Sequence, residues 1–370
     1  MEQRRKNLTQ LFIPICLETL LYMLSGMVDT LMLSSVNDQA VGAVGTANTY
    51  IGIFIIMFSV ISSGMVAVMT QNIGAGRPGV AYQARQLGLA FNAVLGVIMS
   101  LFLSLGAGTI LSGVGVADAL MQPAKTYLQI VGGFCILNAL IPICSSYLRA
   151  FGFSKEPLYA SIIGNVINFC LNAFFLFVLH KGVAGVATAT VISRIINLVI
   201  VVLLGAVLVK AKKHPERESN REVMGQIIRI GLPSACETAI YNVSMTLVIR
   251  FLNQMDAQGL NVTARSYTMQ ITNFSYCVGA ALAQANAIMT GWHIGAKEYD
   301  ACDRGTKKAA VIGVIVAVIL ETVFTLCSGW IMQLFSKDPQ MVSLVGKLLA
   351  IDIVLEIGRV TNLVYGQALR

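Results

Sequence analysis

The sequence predicts an all-α integral membrane protein made of two pseudo-symmetric helix bundles in parallel repeat, with about ten transmembrane helices of an expected twelve. Three observations carry this expectation: an apolar excess too large for a soluble core, ten long apolar runs, and an internal repeat. Of 370 residues, 56% are hydrophobic and 12% charged, against roughly 45–50% and about 25% in soluble domains. So much apolar surface has to face lipid.

A bilayer core about 30 Å thick needs roughly 20 apolar residues in helical form. Runs of that kind occupy 10–34, 44–72, 86–112, 124–148, 157–180, 183–210, 226–253, 262–290, 306–334 and 342–368. They are continuous rather than short and alternating, which favours helices over a β-barrel. The first run is too long for a signal peptide and is read as a retained helix.

Basic residues set the orientation. Of the 26 Lys and Arg, 18 fall in segments on one side, among them Arg4, Arg5, Lys6, Arg77, Arg85, Arg149, Lys210, Lys212, Lys213 and Arg304. Six fall on the other side: Lys125, Lys181, Arg250, Arg265, Lys337 and Lys347. The N-terminus and the basic linker at 211–224 are therefore expected in the cytoplasm, on a multi-pass protein of the cell membrane. The formal charge of +8 is spread over short breaks between apolar runs, a pattern that suits membrane orientation and does not suit nucleic-acid binding.

The linker separates two similar halves, 1–210 and 225–370. PICLETLLY at 14–22 matches PSACETAIY at 233–241, IGAG at 73–76 matches IGAK at 294–297, and Leu148-Arg149 matches Leu369-Arg370. The offset is 219 at the first anchor and 221 at the other two. Both copies start from the cytoplasmic side, so the repeat is parallel, and transporters built this way hold substrate between their halves. The first half carries six runs and the second four, so symmetry implies two further helices.

Several chemistries find no support. The eight Cys form no CxxC pair and have no His at ligand spacing, which argues against zinc, iron–sulfur and disulfide frameworks. Gly74-Ala-Gly76-Arg-Pro-Gly79 has the GxGxxG form, yet no strand precedes it and Pro78 breaks helix, so it reads as a turn. No P-loop, HExxH or GxSxG occurs. The chain is expected to be no enzyme and to need no cofactor.

The motifs themselves resemble the multidrug and toxic compound extrusion (MATE) family. The residues that carry the likeness are Pro14 with GMVDTLML at 26–33, QNIGAGRP at 71–78, YLRAFGFSKEP at 147–157, NVINFCLN at 165–172 and GVAGVATATVISR at 182–194. RIGLPSACET at 229–238 and LEIGRVTN at 355–362 add the second half. The resemblance implies twelve helices in two six-helix bundles, a V-shaped cavity, and export of organic cations in exchange for Na+ or H+. The alternatives are a flippase for lipid-linked oligosaccharide on a related helix plan, or a non-transporting fragment. The expected partners are small organic cations and the lipid bilayer, with the protein acting as a monomer.

Ionisable groups at membrane depth are costly and mark functional positions. Asp29 lies inside the first run, and the resemblance makes it a cation or proton site. Asn168 and Asn172, one turn apart on run five, share a face. They match the family's Asn-x-x-x-Asp pattern with Asn in place of Asp, which leaves Asp29 a neutral partner. Thr190 is a further candidate beside them. Glu237 matches a family carboxylate on the seventh helix, so Asp29 and Glu237 are the candidate Na+ ligands. Glu18 occupies the position equivalent to Glu237 in the first repeat. Glu356 and Arg359 are three apart on run ten and could neutralise each other, as a structural ion pair or a coupling site. Glu321 and Arg194 are deep without obvious local partners, and Asp352 shares run ten.

Overall fold

The structure is a computed structural model that describes residues 6–35, 38–113, 116, 118–209, 216–255, 260–333 and 338–370. Arg4, Arg5, Lys210, Lys212, Lys213, Lys337 and the linker residues 211–215 lie outside the described residues. Among those described, all regular structure is helical: α1 (Leu8–Ser34), α2 (Asp38–Gly74), α3 (Pro78–Gly113), α4 (Asp118–Tyr127), α5 (Ile136–Ala150), α6 (Lys155–Ala173), α7 (Gly182–Leu208), α8 (Asn220–Met255), α9 (Leu260–Gly295), α10 (Tyr299–Leu326), α11 (Ser328–Met332) and α12 (Pro339–Ala368). Single π-helical turns follow α4 at Leu128–Gly132 and α6 at Phe174–Val178.

Each apolar run coincides with one helix or one broken pair, but not all ten are apolar enough to be assigned to the membrane by composition. Five helices pass on their own: α1, α3, α6 with its π turn, α7 and α10. Two more runs pass as bent pairs, α2 with a 42° bend and α4–α5 with a 43° bend. The remaining three, α8, α9 and α12, are 36, 36 and 30 residues long. Their length is ample, about 45–54 Å at 1.5 Å per residue; α8 and α12 each carry several ionisable residues. The long helices that do not pass, alone or in a pair, thus all lie in the C-terminal part of the chain.

The chain folds as two compact units. One contains Leu21–Ala235; the other contains Asn7–Leu20 and Cys236–Arg370. The divisions fall within α1 and α8, a few residues after the internal prolines Pro14 and Pro233, and not at the 211–224 linker. Proline removes one helical hydrogen bond and kinks the rod, so each helix can change direction as it leaves its first turns.

Within the first unit, α2 packs on α3, α4 and α5, while α7 packs on α5 and α6. Its core includes Leu33, Phe58, Leu103, Leu111, Leu128, Val131 and Val186. In the second unit α9, α10 and α12 pack on one another through small residues, with Ala283, Ala309, Ala310 and Ala317 against Val360 and Val364. Small side chains let helix backbones approach closely in lipid, where no hydrophobic force draws helices together. A Cβ on Gly313 would lie 2.7 Å from Val360 Cγ1 and 2.8 Å from Leu282 Cδ2, so this glycine sets the α10–α12 spacing.

The repeat extends to hydrogen bonds. After α2, the Arg77 amide donates to Asn72 O and Gly76 N to Ile73 O; after α9, Glu298 N donates to His293 O and Lys297 N to Ile294 O. Both are helix ends closed by a left-handed residue: Gly76 at φ 74° and Lys297 at φ 62°. A side chain in this region costs about 1–2 kcal/mol, partly offset by the extra freedom glycine has when unfolded. Lys297→Gly is therefore expected to stabilise the protein by up to about 1 kcal/mol, read as a higher melting temperature. Gly76→Lys should lower it by a similar amount.

Candidate functional site

Two polar clusters lie inside the apolar helices, one in each unit. In the first unit, Asn168 and Asn172 stand one turn apart on α6, both buried. The Asn172 amide Nδ2 donates to Asp29 Oδ1 at 2.6 Å and to Asn168 Oδ1 at 3.2 Å. The three expected residues are thus one chain of hydrogen bonds, and it sits immediately before the π turn at Phe174–Val178. Such turns occur often at functional sites because they break the regular register of a helix. Thr190 is buried on α7, but its hydroxyl donates back to Val186 O at 2.9 Å and is committed to its own helix.

Arg194, one turn beyond Thr190, has a partner that local spacing does not reveal. Its Nη1 donates to Asn138 Oδ1 at 2.9 Å, and its charge bears on both Asp29 and Tyr127. The guanidinium of Arg194 thus acts on Asp29 through charge, while its hydrogen bond goes to Asn138.

In the second unit the register of two antiparallel helices builds the other cluster. Gly313, Ala317 and Glu321 repeat at four-residue spacing along α10, facing Val364, Val360, Glu356 and Asp352 at the same spacing along α12. The small end of this seam closes the helices together, and the carboxylates fall one to two turns further on. One oxygen each from Glu321, Asp352 and Glu356 lies within 4.8 Å of the others. Glu321 and Glu356 are fully buried and Asp352 nearly so.

Arg359 Nη1 binds Glu356 Oε2 at 2.7 Å, the i,i+3 pair that the spacing suggested. Its Nη2 also lies 3.8 Å from Asp352 Oδ1. The Ser275 hydroxyl of α9 donates to Glu356 Oε1 at 3.4 Å. Glu321, which has no local partner in the sequence, meets its neighbours across helices.

Glu237 lies elsewhere in the second unit. Its side chain is 55% exposed and pairs with Arg370. Among the described residues one group of three His, Cys, Asp or Glu side chains is close enough to share a metal ion, and neither Asp29 nor Glu237 is in it.

Long apolar helices that enclose a few paired, buried ionisable groups define a multi-pass membrane transporter rather than an enzyme. The MatE family model matches residues 14–174 and 233–370, and the chain belongs to that family. It is 32% identical to "Uncharacterized transporter YisQ" of Bacillus subtilis (strain 168) over 363 residues, covering 96% of this chain and 79% of the relative. A "Probable multidrug resistance protein NorM" of Thermotoga maritima is 24% identical, with 92% of this chain and 74% of the relative covered. Among solved structures, one described as "Crystal structure of MATE in the straight conformation" superposes with a TM-score of 0.84 at 20% identity, covering 98% of this chain and 82% of that one.

Proposed function

We propose that this protein exports organic cations from the cell by alternating access, in exchange for Na+ or H+. The observation that carries the reading is the Asp29–Asn172–Asn168 chain, a carboxylate held at membrane depth by neutral amides. Such a carboxylate accepts a small cation readily, because burial penalises its bare charge, the amides cannot neutralise it, and Arg194 acts on it from a distance while bonded to Asn138. An ion bound there drives transport only if it prefers one conformation over the other. Family membership and the named relatives support export of toxic or drug-like compounds. Several of the matched relatives carry the name NorM and are described as probable multidrug resistance proteins.

The test is uptake of a fluorescent organic cation into sealed inside-out vesicles, with sodium and proton gradients imposed separately. Uptake under one gradient, abolished by collapsing it, is the expected result and names the coupling ion. Folded protein that accumulates no organic cation under either gradient would sink the reading.

A further inference from the structure

We infer that Glu321, Asp352 and Glu356 form a binding site for one sodium ion in the second unit, entered in exchange for a proton. The inference deepens the antiport reading in giving it a second ion site, but ion binding at this cluster does not depend on what the protein exports.

Four observations lead here. The first is geometric. Oxygens around a hard cation at roughly 2.3–2.6 Å lie at most about 5 Å apart, and the three carboxylates offer oxygens within 4.8 Å of one another.

The second is unmet bonding. Neither oxygen of Glu321 has a hydrogen-bond partner, nor does Asp352 Oδ2, although all three atoms are buried. The nearby groups cannot serve them all. Arg359 is engaged by Glu356 and Asp352, and the single Ser275 proton, within reach of both Glu356 and Glu321, can serve one of them. Tyr276 of α9 is a further titratable group whose interactions reach Glu356 and Arg359. A buried carboxylate with no donor has to take a proton or a metal ion.

The third is charge. Three carboxylates against one guanidinium leave two negative charges in a membrane interior. Two monovalent cations balance them: two protons in one state, one proton and one sodium in the other. Sodium entry that keeps this balance releases one proton.

The fourth is the repeat. The anchors at 76/297 and 149/370 share the offset of 221, so no net insertion separates the copies between them and that offset pairs their positions. Glu321, Asp352, Glu356 and Arg359 correspond to Ser100, Val131, Cys135 and Asn138. Ser100, Val131 and Cys135 are buried as their counterparts are, so burial belongs to the shared fold. The charges belong to this copy alone, and packing does not call for them.

The experiment is saturation binding of radioactive sodium to the purified full chain in lipid nanodiscs, at constant ionic strength with choline. A pH indicator in weak buffer follows proton release, and calcium is titrated in parallel. Saturable sodium binding with release of about one proton is expected, weaker in acid. Glu321→Gln should lose at least the roughly 10–100-fold that removal of even an outer-shell partner costs a metal site. Glu321→Asp, which keeps a shortened carboxylate, should fall between the two. Asp303→Asn, at the exposed pair with Lys307, should bind sodium as the unmodified protein does. Melting curves establish that each variant is folded.

Folded protein that binds no sodium overturns the inference. So does binding that Glu321→Gln leaves unchanged or Asp303→Asn abolishes, and so does calcium uptake with release of two protons in place of sodium binding. Sodium binding at Glu321 without export of organic cations would instead overturn the proposed function and leave the ion site standing.

Discussion

Gradient-driven export is expected to fall to the level of protein-free vesicles when Asp29 is replaced by asparagine. The substitution is nearly isosteric and keeps a carbonyl oxygen to accept the 2.6 Å bond from Asn172 Nδ2. What it removes is the charge, and with it the capacity to take up a proton or a sodium ion. Asn172→Ala separates charge from bonding, since the carboxylate stays and its donor goes. A hydrogen bond to a charged group is worth about 1.5–3 kcal/mol, so this variant should retain measurable export, reduced about tenfold or more. Equal loss in both variants would mean that the amide network, and not the carboxylate, limits transport. Undiminished export by Asp29→Asn would remove Asp29 from the coupling machinery altogether.

The helical plan was legible because hydropathy acts along a single chain. The apolar runs located α1, α3, α6, α7 and α10 to within a few residues at most ends, with 8 residues as the largest departure, at the start of α3 and the end of α10. The bends in α2 and in α4–α5 were not legible, because a kink depends on which neighbouring helix the rod wraps around. Nor does a run of apolar residues reveal that α8, α9 and α12 are too polar to be assigned by composition. Asn168 and Asn172 were placed on one face by helical spacing, and the Asp29–Asn172 bond then followed from the family resemblance. Glu356 and Arg359 were paired by the same local rule. Glu321 was beyond that rule, because its neighbours are 31 and 35 residues away on another helix. A signal did exist: the constant offset maps Glu321, Asp352, Glu356 and Arg359 onto four neutral residues of the first copy. A charge gained in one copy of a repeat, at a position buried in both, points to a site more directly than depth alone.

Arg359→Gln is expected to cost about 3 kcal/mol of stability, the lower end of the range for breaking a buried pair, because the guanidinium is 26% exposed. The loss is read as a lower melting temperature in nanodiscs. Its cause is charge more than contact. The glutamine can still donate one hydrogen bond to Glu356, but three carboxylates are left with no fixed positive group, and the deficit rises from two charges to three. Sodium should therefore recover part of the lost stability, since an ion that binds only the folded state stabilises it in proportion to its occupancy. The double variant Glu356→Gln, Arg359→Gln distinguishes charge from packing. It removes one charge of each sign and restores the original deficit of two, so it should melt well above Arg359→Gln alone. Were lost packing the cause, the two substitutions would add and the double variant would melt lowest of all.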